Sequence, residues 1–178
     1  MAGRDPLANP EPLLRRVYAY VAYRVGDRAE AEDITSETFE RALRYRKQFD
    51  ERKGEPVAWL LGIARNCVYD AQLRTRPEPA DETPASATDV EGEVVGRMAL
   101  AQALASLSAE DRELLALRYG ADLRTREIAK LLDQRANTVD VALSRARARL
   151  AAALEQGESG HPSAAADGLA ADLVDGAL

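Results

Sequence analysis

Residues 125–150, TREIAKLLDQRANTVDVALSRARARL, decide the fold, because their pattern predicts two short helices around a tight turn. Three apolar residues recur at helical spacing in the first helix: Ile128, Leu131 and Leu132. Thr125 precedes them, and its hydroxyl is expected to cap the helix. The chain is expected to break at residues 133–135. The second helix then aligns four apolar residues on one side: Val139, Leu143, Ala146 and Leu150. This pattern is typical of a helix-turn-helix.

Arginines follow the apolar side of the second helix towards its end, at positions 145, 147 and 149. Cations there complement the helix dipole, and they can also meet phosphate when such a helix enters a major groove. Asp140 argues against DNA, because phosphate repels a carboxylate, although Asp can accept a hydrogen bond from cytosine N4. Helical hairpins with Arg-rich ends also occur in proteins that bind no DNA, so this segment alone leaves both interpretations open.

Composition limits the function classes. The chain has 178 residues, is rich in Ala, Leu and charge, and predicts an all-α protein of two small helical domains. A single cysteine, Cys67, excludes a disulfide within the chain, and a single histidine, His161, argues against a His-rich metal site. We predict no metal, no cofactor and no catalytic residue. No apolar run approaches the ~20 residues of a membrane span, so we expect a cytoplasmic protein with no membrane insertion.

Charge is segregated along the chain, although the net charge is −6. Residues 41–76 and 101–154 are net basic, whereas residues 77–93 hold six acids, three prolines and no base. Such a segment is too polar to pack and predicts a flexible acidic linker. The sequence therefore predicts five parts. They are a disordered N-terminus 1–10, a helical domain 11–76, an acidic Pro-rich linker 77–96, a helix-turn-helix domain 97–154 and a disordered acidic tail 155–178.

The N-terminal block predicts three or four helices. The first begins behind Pro12 and ends at Gly26, the second covers about residues 29–46, and the third begins at Pro56. The apolar positions of the first helix are Leu13, Leu14, Val17, Tyr18, Val21 and Val25. Those of the second are Ala31, Ile34, Thr38, Phe39, Ala42 and Leu43. Those of the third are Trp59, Leu60, Ile63, Ala64, Cys67, Val68 and Ala71.

Polar faces lie opposite these stripes. On the second helix Asp33, Glu37 and Arg41 are spaced four apart and project together, which from spacing alone indicates a solvated surface with weak ion pairs. Basic and amide groups on the third helix, beside a Lys/Arg loop, suit single-stranded or distorted DNA. Trp59 could stack on a base, but at this spacing a core position is more typical.

These pieces together resemble one family, the extracytoplasmic-function (ECF) sigma factors, the promoter-recognition subunits of bacterial RNA polymerase. AEDITSETFERALR at 31–44 resembles the family's region 2.2, and PVAWLLGIARNCVYDAQLR at 56–74 resembles regions 2.3 and 2.4. Residues 103–150 are similar to region 4. The three pieces stand in the family's order, with an acidic linker of suitable length before the last.

The resemblance implies a role for each surface. Asp33, Glu37 and Arg41 would dock on the beta-prime coiled coil of core RNA polymerase, with the beta flap as a second contact. The minus-10 element of promoter DNA would be melted and held by Arg52, Lys53, Arg65, Asn66 and Arg74. The minus-35 element would be read by Arg135, Asn137, Thr138, Asp140 and Arg145. The family also implies an anti-sigma factor as a partner.

The chain departs from the family most clearly in the turn and reading helix. Asp133, Gln134 and Arg135 replace the usual Gly, apolar residue and Ser, and residues 140–142 are Asp, Val and Ala where basic or polar residues are common. These departures put minus-35 affinity in doubt. A helix-turn-helix regulator that binds duplex DNA without polymerase remains an alternative, which would explain residues 125–150 but not the pieces at 33–39 and 59–70. A helical enzyme with paired carboxylates is a distant third, because Asp33 and Glu37 lack the histidines of a di-metal site.

Overall fold

The computed structural model describes residues 5–74 and 91–159, and the regular structure of these residues is entirely helical. The described residues contain seven α-helices. They are α1 (Pro10–Val25), α2 (Arg28–Tyr45), α3 (Pro56–Arg74), α4 (Glu91–Ser106), α5 (Ala109–Leu115), α6 (Thr125–Leu131) and α7 (Ala136–Ser159). A 3-10 turn, Arg46–Gln48, follows α2, and a π-helical turn, Ala116–Gly120, continues α5. The predicted all-α class is confirmed.

The ends of the first helices follow from their local sequence. Gly26 has φ +78°, and its N–H donates to the carbonyl of Ala22 at 3.0 Å, so the predicted terminator of α1 is confirmed. Asp27 then caps α2, because its carboxylate accepts a hydrogen bond from the Glu30 N–H at 2.8 Å. The helix α1 begins at Pro10, two residues before the predicted Pro12, since either proline suits a first helical turn.

Helices α1, α2 and α3 pack against one another around a shared apolar core. The fully buried residues include Val17, Val21, Ala31, Ala42, Leu60, Ala64, Cys67 and Val68. Two predicted core positions are wrong: Leu14 is 48% exposed and Leu43 is 54% exposed, because both lie at the edge of their helical stripe. Tyr20, which the pattern did not place in the core, is completely buried.

Helices α4 to α7 form the second unit, in which α4, α5 and α6 all pack on α7. Val139, Leu143 and Ala146 are buried on one side of α7, as predicted. Asp111 of α5 anchors the far end of this helix, because both its carboxylate oxygens accept hydrogen bonds from Arg149 at 2.7 and 2.8 Å. Arg149 is therefore held by an ion pair to α5 although 58% of its side chain is exposed, and Arg145 and Arg147 are exposed as well.

The two units are packed together and share one hydrophobic core, in which Leu117 and Ile128 join the residues of α1 to α3. Several arginine contacts bridge them, including those of Arg16 and Arg24. Arg16 donates to the carbonyl oxygens of Ala121 (2.6 Å) and Asp122 (3.1 Å), and Arg24 donates to that of Ala109 (2.7 Å). Among the described residues, the two helical units thus pack directly against each other. This closed arrangement of the two units could not be predicted from composition.

Helical structure extends into parts that were predicted to be irregular. Helix α4 begins at Glu91, inside the predicted linker, and α7 continues to Ser159, five residues into the predicted tail that starts at 155. Glu and Gln in these stretches favour helix, and each stretch continues a longer helix, so no new helix has to be nucleated. Pro6 is buried, so the predicted disordered N-terminus does not extend over residues 5–10. The rest of the linker (75–90), the rest of the tail (160–178) and residues 1–4 lie outside the described residues.

Candidate functional site

Two of the three predicted polymerase-docking residues, Glu37 and Arg41, lie in an ion-pair network that joins α2 to α3. Arg41 donates to Glu37 at 2.5 Å and to Asp70 of α3 at 2.9 Å, while Arg74 donates to Glu37 at 3.3 Å. The hydrogen bond to Asp70 raises the pKa of Arg41. The prediction of weak ion pairs within α2 alone is therefore incomplete, because two of the four residues in the network, Asp70 and Arg74, belong to α3.

Asp33 differs from its neighbours on the same face of α2. It lies one turn before Glu37, is exposed, and within the described ranges has no ion-pair or hydrogen-bond partner through its side chain. Glu40 is also exposed and lies on the same side of the helix. Asp33 and Glu40 can therefore accept contacts from a basic surface without first breaking an internal pair, unlike Glu37.

The loop between the 3-10 turn and α3 presents Arg52 and Lys53 to solvent. Asp50 holds the loop in a turn: its carboxylate accepts from the Arg52 N–H at 3.1 Å and its carbonyl accepts from the Lys53 N–H at 2.9 Å. Phe49 and Trp59 pack with their ring centroids 5.5 Å apart. Trp59 is half-buried against the hydrophobic core, which agrees with the core interpretation of this residue.

An open cavity of about 670 Å³ lies between this loop and α6. Phe49 and Trp59 line it on the side of the N-terminal unit, and Glu127 and Lys130 line it on the side of α6. Beside these aromatic rings the cavity has three cations, Arg52, Lys53 and Lys130, and four carboxylates, Asp50, Glu51, Glu55 and Glu127. Aromatic rings and cations are the groups that hold unstacked bases and their phosphates in single-strand-binding proteins, whereas carboxylates repel phosphate.

Arg65 and Asn66, adjacent on α3, have different surroundings. Asn66 is exposed, whereas Arg65 donates to Glu113 of α5 at 2.6 Å, with the two side chains 34% and 20% exposed. The hydroxyl of Tyr20 lies buried near this pair, and burial, with Glu113 as a second cause, raises its pKa. Sequence reasoning missed Glu113, because nothing in the local pattern links positions 48 residues apart.

The helix-turn-helix forms although its turn lacks glycine. Asp133 adopts φ +53° in the left-handed region, which Asp tolerates better than most residues, and the Gln134 N–H donates to the carbonyl of Ala129 at 2.8 Å. The predicted cap of α6 is wrong by one residue. Arg124 precedes the helix, and its N–H donates to the Glu127 carboxylate at 2.7 Å, so the acid three residues later supplies the contact expected of Thr125.

Helix α7 keeps its outer face open. All five residues predicted to meet the minus-35 element are exposed: Arg135, Asn137, Thr138, Asp140 and Arg145. The buried side chains of α7 point the other way, towards α4, α5 and α6. The five residues thus occupy exposed positions in α7 and just before it, away from its buried side.

Comparison with known proteins gives the family. Residues 11–77 match the family model of Sigma-70 region 2, and residues 97–150 match that of Sigma-70 region 4. The chain is 32% identical over 120 residues to the ECF RNA polymerase sigma factor SigL of Mycobacterium tuberculosis, covering 64% of this chain and 68% of SigL. The chain belongs to the ECF RNA polymerase sigma factors.

Two further matches set the scope of this assignment. The ECF RNA polymerase sigma factor BldN of Streptomyces coelicolor is 36% identical to this sigma factor over 144 residues. That alignment covers 76% of this chain and 54% of BldN, so the sigma factor spans about half the length of that relative. In fold it is similar to the sigma factor RpoE of Bartonella quintana, solved in complex with the anti-sigma factor NepR. The TM-score is 0.63 at 24% identity, over 80% of this chain and 92% of that one.

Neither a membrane span nor a metal centre is found in the described part of this sigma factor. Within residues 5–74 and 91–159, no helix is both long and apolar enough to cross a bilayer. The same residues contain no group of three or more His, Cys, Asp or Glu side chains placed to hold a metal ion. Cys67 is a free, buried thiol, and burial raises its pKa.

Proposed function

We propose that this sigma factor binds bacterial core RNA polymerase and directs promoter-specific initiation of transcription. The observation that carries the proposal is the presence of three separate polar surfaces on one helical body. These are the acidic face of α2, the loop that presents Arg52 and Lys53 beside α3, and the open side of α7. Each corresponds to a step that the family performs, and none duplicates another.

The acidic α2 face is proposed to dock on the polymerase beta-prime coiled coil. Asp33 contributes an unpaired carboxylate, while Glu37 and Arg41 hold the adjoining network in place. The helix-turn-helix unit is proposed to rest on the beta flap. Because the α2 contact is made by exposed charges, its formation should weaken at high salt.

The loop with Arg52 and Lys53, together with α3, is proposed to melt and hold the minus-10 element. Arg52 and Lys53 are free to meet phosphate, and Asn66 can read a base edge. Arg74 and Arg65 reach DNA only after leaving Glu37 and Glu113, respectively. The aromatic rings of Phe49 and Trp59 in the cavity beside the loop would accept an unstacked base.

The open side of α7 is proposed to read the minus-35 element in the major groove, as the second helix of such motifs does. Arg135, Asn137, Thr138, Asp140 and Arg145 supply the polar contacts. The protein is proposed to act in the cytoplasm by binding rather than by catalysis, without metal or cofactor. An anti-sigma factor is proposed as a further partner, because the similar RpoE was solved bound to one.

Replacing one charge tests the docking step. Asp33→Arg reverses an exposed carboxylate that has no internal partner among the described residues, so the fold should be unaffected. We expect binding to core polymerase to weaken by about tenfold or more, since like charges placed opposite each other cost several kcal/mol. The matched control is Glu11→Arg, the same charge change on α1 at an exposed residue with one loose pair of 3.6 Å. Equal binding by both variants would refute the assignment of the α2 face.

A further inference from the structure

Val141 occupies the centre of the exposed side of the reading helix. Successive residues of an α-helix are about 100° apart, so Val141 lies roughly 200° around the axis from Val139. Val139 is completely buried in the core, and Val141 accordingly points away from it and is 52% exposed. An apolar side chain thus stands at the point of α7 that is farthest from the body of the protein.

The neighbours of Val141 on this face are polar or small. Asn137 lies one turn before it and Arg145 one turn after it, and both are exposed. Ser144 lies one turn after Val141 and Ala148 two turns after it on the same face, and both are small and exposed. Asp140 is only about 100° from Val139, at the flank of the helix, so it faces the side of a groove rather than its floor. Val141 is therefore the branched apolar side chain that would point towards the base edges if α7 entered a DNA groove.

We propose that Val141 reads a thymine by its 5-methyl group, at one position of the minus-35 element. Among the four bases, thymine alone presents an apolar group in the major groove. The valine isopropyl group has no hydrogen-bond donor or acceptor and can match only that feature. The first turns of a reading helix reach base edges, and Val141 is the sixth residue of α7. The inference rests on the proposed function and assigns it a specificity residue.

Removing the methyl group alone tests the contact. Full-length sigma factor and core polymerase are used to select promoters from a random duplex pool, and each thymine of the selected minus-35 element is then replaced by uracil, which lacks only the 5-methyl. Burial of one methyl-sized group predicts about a fourfold loss of binding at one thymine. In Val141→Ala and Val141→Ser holoenzymes, uracil and thymine at that position should bind equally well.

Ser144→Ala is the matched control, because it alters an exposed residue of the same face and leaves the valine in place. It should keep the fourfold preference for thymine over uracil. Thermal unfolding of each variant checks the fold, which should be unchanged because Val141 packs on no core residue. The proposal is overturned if no thymine is sensitive to loss of its methyl, or if the sensitivity persists without the valine.

A parallel selection with the sigma factor alone separates this inference from the proposed function. If no complex with polymerase forms, but the chain alone selects duplexes with a Val141-dependent methyl effect, the methyl contact stands and the proposed function fails. If the holoenzyme initiates transcription without any methyl effect, the function stands and the contact is refuted. Selection of no DNA in either arm refutes both.

Discussion

Two alanine substitutions should change stability in opposite directions and so test the packing of the two units. Gly120 ends the π-helical turn against α1, and a Cβ there would lie 2.9 Å from both the carbonyl carbon and oxygen of Ala19. Gly62 lies within α3, and a Cβ there would meet nothing within 4 Å. Gly62→Ala is therefore the matched control for Gly120→Ala.

The expected change in the free energy of unfolding follows from these distances. Carbon atoms pack best at about 3.5–4.0 Å, so the new methyl at Gly120 must displace the backbone of α1 by roughly 0.6 Å or more. Overpacking of this kind costs about 1–3 kcal/mol, of which better helix propensity recovers up to about 1 kcal/mol. We expect Gly120→Ala to lower the free energy of unfolding by about 1–2 kcal/mol. Gly62→Ala should raise it by about 1 kcal/mol.

Thermal and urea unfolding measure both variants against the wild type. For a chain of this length, about 2–4 °C corresponds to 1 kcal/mol, so Gly120→Ala should lower Tm by about 2–8 °C and Gly62→Ala should raise it. Small-angle scattering shows whether the units stay together when α1 is pushed outward. A Gly120→Ala protein that unfolds at or above the wild-type temperature would refute the close approach to Ala19 and with it the shared core.

Three further predictions concern the internal contacts. Glu113→Gln removes the charge that holds Arg65, so promoter binding by the free sigma factor should strengthen, and its salt dependence should steepen by about 0.9 in the log–log slope. An unchanged slope, measured by fluorescence anisotropy, would mean that Arg65 does not reach DNA. Asp111→Ala removes both carboxylate contacts to Arg149 and should lower the free energy of unfolding in urea by about 1–2 kcal/mol. An unchanged free energy of unfolding would show that this ion pair does not stabilise the fold. Cys67 is fully buried with a raised pKa, so a thiol reagent should label it only as the protein unfolds, and rapid labelling in buffer would contradict the burial.

Local signals predicted the helices well, because their causes lie within a few residues. Gly26 ends α1 as its conformational freedom predicts, and Pro56 opens α3. Helical spacing likewise placed Val139 and Leu143 in the core. The error at Thr125 is of the same local kind: the preceding Arg124 and the carboxylate of Glu127 complete the cap, and spacing alone does not separate adjacent residues.

Contacts between distant segments could not be predicted in this way. The closed arrangement depends on Gly120, whose only sequence signal is the absence of a side chain, and on Arg16 and Arg24, which bind carbonyl groups that every residue has. The partners of Arg65 and Arg149 lie 48 and 38 residues away, where periodicity carries no information. Sequence therefore identified basic side chains, and only the structure separates those that are held internally from those that are free.

Transcription from genomic DNA fragments tests the central claim most directly. Purified chain and bacterial core RNA polymerase are combined, and transcript start sites are mapped for the mixture and for each component alone. If the chain is a sigma factor that directs initiation, we expect a stable complex and start sites that appear only in the mixture, with shared minus-10 and minus-35 elements upstream. Binding of the chain to duplex DNA without polymerase, and no new start sites in the mixture, would contradict it and indicate a free-standing helix-turn-helix regulator.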